Sequence, residues 1–379
     1  MRYFLADRCV LKHLERPSAY VIPTDDLYEL DEDSFSFLSR CASEEGGEAG
    51  RGEFIDYCLR EGILTLDRVR VARPPVLKSP VPSLRYLELQ VTEKCNLRCR
   101  HCYIDGVSRE LPVPEAEKVL REFELMQGLR VLITGGEPLL HGKFYELNKI
   151  LPAFSVRKVL FTNGTLLKEE ILSRLNVDEV QVSIDGLEAA HESLRGRGTF
   201  RAAIEAIRLC RESGMMVSVS TMVHAKNLHD FVALERLLMK LGVADWTVDV
   251  PCVTGKLRNN PEFQVTPQEA GECLRFGFGG GIHESPPGFA CGLHLACVSA
   301  DRRVARCTFY ADRAAGRIED GLRECWQRIT PVRLDDIDCD CDHIESCRGG
   351  CRYRAALLGN SRGKDLYRCA LYDIIEKES

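Results

Sequence analysis

The chain has 379 residues, 45% of them hydrophobic. A single core stops growing at about 250 to 300 residues, so we expect one large domain with smaller ones attached. The formal net charge of −6 argues against a nucleic-acid-binding protein, which normally carries a basic face. The first residues show no signal-peptide pattern, and no uncharged apolar run reaches the ~18 residues of a membrane span. We therefore expect a cytoplasmic protein that binds neither nucleic acid nor membrane.

Residues 1–72 are predicted to form a small α+β domain with a winged-helix-like plan. The strand patterns YFLADRCVLKHL and AYVIP precede the helical patterns DEDSFSFLSRC and FIDYCLREGIL. Asp31 or Asp33 can cap the first helix, and Gly62 closes the second. The segment contains 9 Lys/Arg and 15 Asp/Glu, so its charge of −6 equals that of the whole chain. The four prolines of RPPVLKSPVP then predict an extended linker at residues 73–83.

Residues 84–255 alternate strand and helix patterns, which predicts a parallel sheet. The predicted strands are LRYLELQV, RVLIT, KVLFT, EVQVSI, MVSVSTMV and DWTVDV. Helical patterns such as VPEAEKVLREFELM, TFRAAIEAIRLCRE and LHDFVALERLLMKL stand between them. Six units are too few for an eight-fold barrel, so we expect an open partial (β/α)6 barrel or a doubly wound sheet. In both folds the ligand site lies at the carboxyl ends of the strands.

Three cysteines, Cys95, Cys99 and Cys102, follow the first of these strands with the spacing C-x3-C-x2-C. In a cytoplasmic protein, cysteines at such spacings are more often metal ligands than disulfides. A disulfide needs two thiols and a structural zinc site needs four ligands, whereas three thiolates on an iron–sulfur cluster leave one iron open. The spacing therefore favours a cluster. A zinc site completed by His101 or by a distant ligand is the alternative.

Further motifs follow the cysteine loop in order: TGGEP, FTNG and SIDG stand at the ends of the second, third and fourth predicted strands, and HESLRGRGTF comes next. Together with the cysteine loop, these motifs resemble the radical S-adenosylmethionine (SAM) superfamily. The resemblance implies a 4Fe-4S cluster on the three cysteines, with SAM bound to its open iron. It implies SAM contacts from Gly135, Gly136, Glu137, Pro138, Asn163, Ser183, Asp185 and Arg195. Glycines let the backbone approach the ligand, Glu137 can accept from an ammonium group, and Arg195 can pair with a carboxylate.

The same resemblance implies a one-electron reaction. The reduced cluster passes an electron to SAM, which splits into methionine and a 5'-deoxyadenosyl radical able to take hydrogen from an unactivated carbon. Such a site must exclude water and oxygen, so we expect it inside the barrel mouth. A flavodoxin- or ferredoxin-type reductant is the implied electron donor.

Residues 256–379 lose the regular periodicity and resemble the SPASM domain. That resemblance implies two auxiliary 4Fe-4S clusters, each fully ligated and suited to carrying electrons. The first would be held by Cys291, Cys297, Cys307 and Cys351, and the second by Cys339, Cys341, Cys347 and Cys369. The usual C-x2-C spacing is shortened here to Cys339-Asp340-Cys341. A pair of zinc ribbons is the alternative.

Two residues near the end of the sixth predicted strand are candidates for catalysis. Asp249 lies at the end of that strand and Cys252 follows it, where substrate should lie. Either residue could handle a proton or, for Cys252, a thiyl intermediate. The alternative is that Cys252 is a small buried apolar residue, as we expect for most of the remaining cysteines.

The plan of residues 1–72 resembles the PqqD-type recognition element of enzymes that modify ribosomally made peptides. It implies a precursor peptide whose leader binds along a strand edge through main-chain hydrogen bonds. A winged-helix-like domain used only for packing is the alternative. The combined features predict a radical SAM/SPASM peptide maturase, with thioether or carbon–carbon crosslinking as the leading reaction.

Other functions remain open from the sequence. Decarboxylation of a peptide terminus and a porphyrin-modifying reaction of the haem pathways share the architecture. A sulfatase-maturase-like oxidation is disfavoured, because those enzymes carry an acidic residue after the third SPASM cysteine and here Thr308 follows Cys307. An electron-transfer or iron-storing module would leave the GGEP motif and the open iron without a purpose.

Overall fold

The structure, a computed structural model, describes residues 1–104, 108–281, 283 and 286–374. The strands are β1 (Arg2–Leu5), β2 (Cys9–His13), β3 (Pro17–Val21), β4 (Asp26–Glu29), β5 (Gly47–Glu48), β6 (Leu64–Thr65), β7 (Tyr86–Thr92), β8 (Arg130–Gly135), β9 (Arg157–Thr162), β10 (Glu179–Ser183), β11 (Met216–Met222), β12 (Asp245–Asp249), β13 (Leu295–Val298), β14 (Arg303–Ala305) and β15 (Gly316–Arg317). The helices are α1 (Glu32–Cys41), α2 (Glu53–Arg60), α3 (Val113–Leu125), α4 (Phe144–Ile150), α5 (Glu169–Leu172), α6 (Glu188–Arg195), α7 (Thr199–Glu212), α8 (Phe231–Lys240), α9 (Pro267–Cys273), α10 (Leu322–Arg328), α11 (Ile344–Cys347), α12 (Arg352–Leu357) and α13 (Leu366–Leu371).

Parts of the predicted domain at 256–379 lie outside the described residues, namely 282, 284–285 and 375–379. Among the helices just given, none is long and apolar enough to cross a bilayer.

The N-terminal strands and helices fold around a small core of their own. β2, β3 and β4 form an antiparallel sheet in that order, and β5, β1 and β6 form a second sheet. The Asp31 carboxylate accepts a hydrogen bond from the Ser34 N–H at 2.7 Å, so Asp31 is the N-cap of α1. Leu38 of α1 and Cys58 of α2 are fully buried in the core between the helices and the strands. The mixed α+β plan expected from the sequence is therefore present.

Six parallel strands form the centre of a nine-stranded sheet with the order β12-β11-β10-β9-β8-β7-β13-β14-β15. All six coincide with predicted strands, whose ends differ by one or two residues at most. β7 to β12 stand side by side in chain order without a reversal, so the doubly wound alternative is excluded. The sheet is an open partial (β/α)6 barrel, and its carboxyl strand ends meet at one edge.

Side chains along β7 point alternately to the outer layer of the barrel and to its interior. Leu87, Leu89 and Val91 are fully buried in the core that also contains the apolar face of α3. Glu88 and Gln90 point to the opposite face, because successive side chains of a strand alternate. The barrel therefore has an apolar outer layer under its helices and polar groups on its inner wall.

The sheet continues beyond the predicted barrel. β13 pairs in parallel with β7, and β14 and β15 follow as antiparallel strands. In this register Cys297 lies beside Glu88. The sequence pattern did not predict these strands, because they have only four, three and two residues and carry little periodicity. The cysteine-rich region is thus joined to the barrel by main-chain pairing.

The N-terminal domain packs against the amino ends of the barrel strands. The fully buried Lys12 ammonium donates to the Gly128 carbonyl at 2.9 Å. Arg157, at the start of β9, donates to the Ile22 carbonyl at 2.7 Å and pairs with Glu179 at 2.8 Å. The carboxyl ends of the strands, where the glycine-rich and polar motifs of the sequence stand, are left free for the site.

Candidate active site and cluster sites

The cysteine loop leaves the carboxyl end of β7 and is held on two sides by main-chain hydrogen bonds. The Arg100 N–H donates to the Leu194 carbonyl at 3.0 Å, and the Lys256 N–H donates to the Cys102 carbonyl at 2.9 Å. Burial raises the pKa of Cys99, the neighbouring thiols of Cys102 and Cys95 add to the rise, and the Arg195 guanidinium opposes it. The three predicted cluster ligands are therefore brought together beside a buried cation.

Gly135 and Gly136 make a close backbone contact with the start of this loop. The Gly136 N–H donates to the Thr92 carbonyl, and the Glu137 N–H to the Lys94 carbonyl, both at 2.8 Å. A Cβ at Gly135, where φ is +149°, would stand 2.2 Å from the Thr92 oxygen. A Cβ at Gly136 would stand 2.3 Å from the Lys94 oxygen. Both positions require glycine, and their partly exposed main chain faces the site.

The Glu137 side chain lies between the ends of β8 and β9. Its side chain is fully buried, and it accepts hydrogen bonds from the Thr162 hydroxyl at 2.9 Å and from the Asn163 N–H at 2.9 Å. Burial raises its pKa to about 7 despite these donors. Glu137 thus ties the end of β8 to the end of β9, while Pro138, also buried, begins the short turn that follows.

Asn163 and Ser183 stand at the next two strand ends. The Asn163 amide donates to the Asn96 side-chain oxygen at 3.0 Å and approaches the Cys95 sulfur at 4.0 Å. Ser183 is the last residue of β10 and is half-buried. Both residues therefore lie at the edge where the sequence placed SAM contacts.

Asp185 and Arg195 form a buried ion pair behind the cysteine loop, with Arg195 Nε 2.5 Å from Asp185 Oδ2. Burial alone would raise the pKa of Asp185, but Arg195 and two histidines hold it well below its usual range. Three histidines surround the pair, and no motif in the sequence identified their role: His101, His191 and His224. The His224 Nε2 donates to the Asp185 carbonyl at 3.0 Å, and burial lowers the pKa of His101 to about 3. Neutral histidines thus enclose this ion pair.

Glu88 is a further candidate that the sequence analysis missed. It faces the barrel interior from β7, and its carboxylate accepts from the Thr308 N–H at 2.8 Å. Burial raises its pKa to about 7. The signal that could have found it is an acidic residue at an inward position of a parallel strand, LELQV, whose outward positions are all apolar. The Glu88 carboxylate therefore lies against Thr308, the neutral residue that follows Cys307.

The predicted ligands of the first auxiliary cluster come from three separate segments. Burial raises the pKa of Cys307, and Glu88 and the thiols of Cys351 and Cys291 add to that rise. Cys297 is fully buried on β13, where its neighbours include Glu88 and Cys307. The four thiols are neighbours in space, although β14, β15, α10 and α11 lie between Cys297 and Cys351 in the chain.

The predicted ligands of the second auxiliary cluster line one small cavity. Cys339, Cys341, Cys347 and Cys369 all contribute to its wall, together with Asp365 and Arg368. The Cys339 and Cys341 sulfurs are 3.5 Å apart, so the shortened spacing keeps both thiols at the same cavity. Burial raises the pKa of Cys369 to about 11, with contributions from Cys339 and Cys347.

Asp249 and Cys252 occupy the boundary between the barrel and the cysteine-rich region. The Asp249 carboxylate is exposed, and it pairs with the buried guanidinium of Arg354 at 3.0 Å. Cys252 is buried, and the neighbouring Cys351 thiol and burial raise its pKa. Arg354 also pairs with the fully buried Asp365 at 2.9 Å. The structure thus places both residues beside the first auxiliary site.

The donor sets fit the groups that the sequence implied. A Cβ at Gly135 or Gly136 would collide with the main chain at the start of the cysteine loop, so these glycines let the loop pack against the end of β8, and thiols are the usual ligands of iron–sulfur clusters. Over the described part of the chain, no three His, Cys, Asp or Glu side chains converge closely enough to hold a single metal ion.

Comparison with known proteins identifies the central part of the chain. Residues 89–238 match the model of the Radical SAM superfamily. The AdoMet-dependent heme synthase of Nitratidesulfovibrio vulgaris is 29% identical over 212 residues, which cover 54% of this chain and 58% of that protein. The protein of the same name from Oleidesulfovibrio alaskensis is 25% identical over 340 residues, which cover 76% of this chain and 87% of that protein. Mycofactocin maturase MftC of Mycolicibacterium smegmatis is 26% identical over 306 residues, which cover 70% of this chain and 77% of MftC.

Among solved structures, Streptococcus suis SuiB bound to S-adenosylmethionine superposes with a TM-score of 0.68 at 15% identity, covering 95% of this chain and 98% of SuiB. SuiB bound to its precursor peptide SuiA superposes with a TM-score of 0.66 at 15% identity, and the match covers 96% of this chain and 98% of SuiB. At this identity the likeness shows the fold, and it extends over nearly the full length of both chains. Residues 89–238 are therefore a radical SAM domain, and the chain around them has the fold of SuiB.

Proposed function

We propose that this enzyme is a SPASM-type maturase that modifies a ribosomally made precursor peptide, by oxidative thioether or carbon–carbon crosslinking. The observation that carries the proposal is an N-terminal domain with an open strand edge beside exposed aromatic side chains. The similarity to MftC and the fold shared with SuiB, which has been solved with a precursor peptide, support the same conclusion. The domain boundaries that we assign are 1–72, 73–83, 84–255 and 256–379.

The residues at the carboxyl strand ends would hold SAM and its cluster. Cys95, Cys99 and Cys102 would ligate three irons, and the main chain of Gly135 and Gly136 would receive the amino group of SAM. When bound, the cluster and SAM supply a 5'-deoxyadenosyl radical able to take hydrogen from an unactivated carbon. The chain orients these groups: the Asp185 carboxylate fixes the guanidinium of Arg195 beside the cysteine loop, where it can meet the SAM carboxylate. Asn163 and Ser183 add polar groups along the same edge.

The eight SPASM cysteines would ligate two auxiliary clusters completely. A cluster with no open iron is suited to accepting the electron that remains after hydrogen abstraction and bond formation. Glu88, on the inner wall beside Cys297 and Thr308, is placed between that site and the barrel interior. The cysteine-rich region therefore supports an oxidative reaction inside the barrel.

The leader would bind at β4, the edge strand of the β2-β3-β4 sheet. Tyr28 of β4 meets Tyr57 of α2 with ring centroids 5.9 Å apart, and Phe37 of α1 meets Phe54 of α2 at 6.4 Å. Phe54 and Tyr57 are 38% and 39% exposed, which gives an apolar face for side chains of an added strand. Acidic residues on the same elements, such as Asp33, favour a leader that carries basic residues.

A porphyrin substrate of the haem pathways is the second candidate function. The observation that favours it is the similarity to AdoMet-dependent heme synthases, one of which aligns over 76% of this chain. A haem-pathway enzyme has no need of a strand edge that accepts a peptide. Leader binding therefore separates the two candidates.

The test is anaerobic co-expression of the chain with each short open reading frame beside its gene, followed by high-resolution mass and fragmentation analysis of the peptides. A mass loss of two hydrogens, with fragmentation blocked between two residues, would establish crosslinking. The matched control is the Cys99→Ala variant, which should leave the same peptide unmodified. Unchanged peptides from an iron-loaded enzyme that converts a porphyrin instead would overturn the proposal.

A further inference from the structure

A cavity of about 370 Å³ lies between the N-terminal domain, the linker and the amino ends of the barrel strands. Arg8 contributes to its wall from the turn between β1 and β2, and Arg73 contributes from the linker. Lys158 lies near the start of β9, and Asp178 directly precedes β10. The SAM and cluster motifs stand at the opposite, carboxyl ends of the same strands. The cavity is therefore separate from the reaction site, and its volume suits a small molecule.

Lys158 is the feature of this cavity that calls for a ligand. Its side chain belongs to a residue that is only 7% exposed, and its ammonium group donates to the Phe154 carbonyl at 2.6 Å. Among the residues that the structure describes, no carboxylate forms an ion pair with this ammonium group. The Asp178 carboxylate is engaged elsewhere, because it pairs with Arg8 and accepts from the Lys158 N–H at 2.7 Å. A buried ammonium group is costly without a counter-ion, so a bound anion would stabilise it.

The charges around the cavity leave an excess of one positive charge. The wall carries three cations, Arg8, Arg73 and Lys158, and two carboxylates, Asp7 and Asp178. Arg8 and Asp178 neutralise each other as an ion pair. Arg73 donates to three main-chain carbonyls of the N-terminal domain, which fixes its position without cancelling its charge. One anionic group of a ligand would balance the site.

The rest of the wall is largely apolar. Val10 and Ile22 are buried side chains of the N-terminal domain, and Phe154 and Val177 face them from the barrel. We propose that this cavity binds a small organic anion, a carboxylate or a phosphate with an apolar body, and that Lys158 is its counter-ion. Such a ligand would contact the N-terminal domain, the linker and the barrel together, so its binding would stabilise their docked arrangement. The inference goes beyond the proposed function and requires no peptide substrate.

The test is isothermal titration calorimetry of the full chain with three probes of similar size. 3-Phenylpropionate carries a carboxylate, phenyl phosphate carries a phosphate, and 2-phenylethanol is the neutral control. At least one of the anions should bind the wild type with one site per chain and at least about tenfold more tightly than the alcohol. The tighter of the two anions identifies the chemical group that the site prefers.

Lys158→Met tests the counter-ion, because methionine is also unbranched and carries no charge. The variant should bind the preferred anion at least about tenfold more weakly and should bind the alcohol unchanged. The anion should also raise the unfolding temperature of the wild type in proportion to its occupancy, and should not raise that of the variant. Lys143→Met is the matched control, because Lys143 is exposed and pairs with Glu146 at the surface at 3.1 Å, and it should bind like the wild type.

Two results would overturn the inference. One is that neither anion binds the wild type better than the alcohol does, or that both bind Lys158→Met equally well. The other is that Lys158→Met without any anion is much less stable than the wild type, which would make the bond to Phe154 a structural one. An enzyme that modifies its peptide but binds no anion here would leave the proposed function standing. Anion binding in a chain that modifies no peptide would overturn the proposed function alone.

Discussion

Gly136 has no room for a side chain, because a Cβ there would stand 2.3 Å from the Lys94 carbonyl oxygen. Gly136→Ala must therefore push the start of the cysteine loop away from β8. We expect SAM to bind at least about tenfold more weakly, a loss of about 1.4 kcal/mol, as measured by anaerobic equilibrium dialysis. Gly280→Ala is the matched control, since nothing lies within 4 Å of its Cβ position. Equal affinities for the two variants would show that the packing of Gly136 against the cysteine loop does not affect SAM binding.

At the scale of single residues, the sequence predicted those site residues that stand in a contiguous motif. The cysteine loop and the strand-end motifs lie at one edge of the sheet, as expected. The pairing of Asp185 with Arg195 was not predicted, because it depends on how α6 turns back over the strand ends. His191 and Glu88 were missed for the same reason: each is an isolated polar residue whose role arises only from its neighbours in space.

At the scale of elements, the aromatic face of α2 tests the leader site. Tyr57 is 39% exposed and meets Tyr28 of the edge strand, so an added peptide strand would bury it. Tyr57→Ala should weaken binding of the precursor's leader by about 2 kcal/mol, roughly 30-fold, because aromatic anchors dominate such interfaces. Fluorescence anisotropy of a labelled leader measures this. Tyr145→Ala, at an exposed tyrosine of α4, should have no effect, and equal losses in both variants would exclude this face.

The contact between α9 and α13 tests the second auxiliary site. Gly271 of α9 lies so close to α13 that a Cβ there would stand 2.7 Å from the Ala370 Cβ. Gly271→Leu should force the helices apart and displace the adjacent Cys369, a proposed ligand. Iron analysis should then fall from about twelve to about eight atoms per chain. Glu272→Leu, at the exposed neighbouring position, should retain all the iron; full iron content in Gly271→Leu would contradict the ligand assignment.

Element prediction succeeded where the chain repeats a long pattern and failed where it does not. β7 to β12 have five to seven residues each and were found within one or two residues of their ends. β13 to β15 are shorter, and their place in the sheet depends on the free edge of β7 and not on their own propensity. Cys297 thus reaches the barrel wall by long-range pairing, which spacing between cysteines does not reveal.

At the scale of the whole molecule, two buried histidines predict how stability depends on pH. Burial lowers the pKa of His191 and His294 to about 4, well below the value of an exposed histidine. Below pH 6.5 these histidines bind protons in the unfolded chain but not in the folded chain, so their contribution to stability is present above pH 6.5 and is lost as the pH falls. Glu88 and Glu137, whose pKa burial raises to about 7, act in the opposite direction over the same range. Each histidine should contribute a slope approaching about 1.4 kcal/mol per pH unit, measured from urea unfolding between pH 7.5 and 5.5.

His294→Asn isolates one of these contributions. The His294 Nδ1 lies 2.8 Å from the Ser83 carbonyl, and an asparagine amide can replace this donor. The variant should lose about half of the slope expected from the two histidines together. An unchanged slope would show that His294 does not stay neutral in the folded protein.

From the contacts of Arg157 across the two parts of the chain, we predict that the N-terminal domain and the barrel unfold together. Its guanidinium is almost fully buried, pairs with Glu179 at 2.8 Å, and donates to the carbonyls of Ile22 and Pro23. Arg157→Met removes these links and leaves the Glu179 carboxylate without its cation, which should cost about 3 to 5 kcal/mol. We expect urea unfolding to begin at lower concentration and the linker at 73–83 to be cleaved faster by trypsin.

The matched control is Arg174→Met, because Arg174 pairs with Glu170 at the surface at 3.7 Å. An exposed pair of this kind contributes at most about 0.5 kcal/mol, so the control should unfold like the wild type. If Arg157→Met behaves like this control, the domains are held by their apolar contacts alone. If it is strongly destabilised, the N-terminal domain and the barrel form one cooperative unit, and a leader bound at β4, as we propose, would be presented to a barrel of fixed geometry.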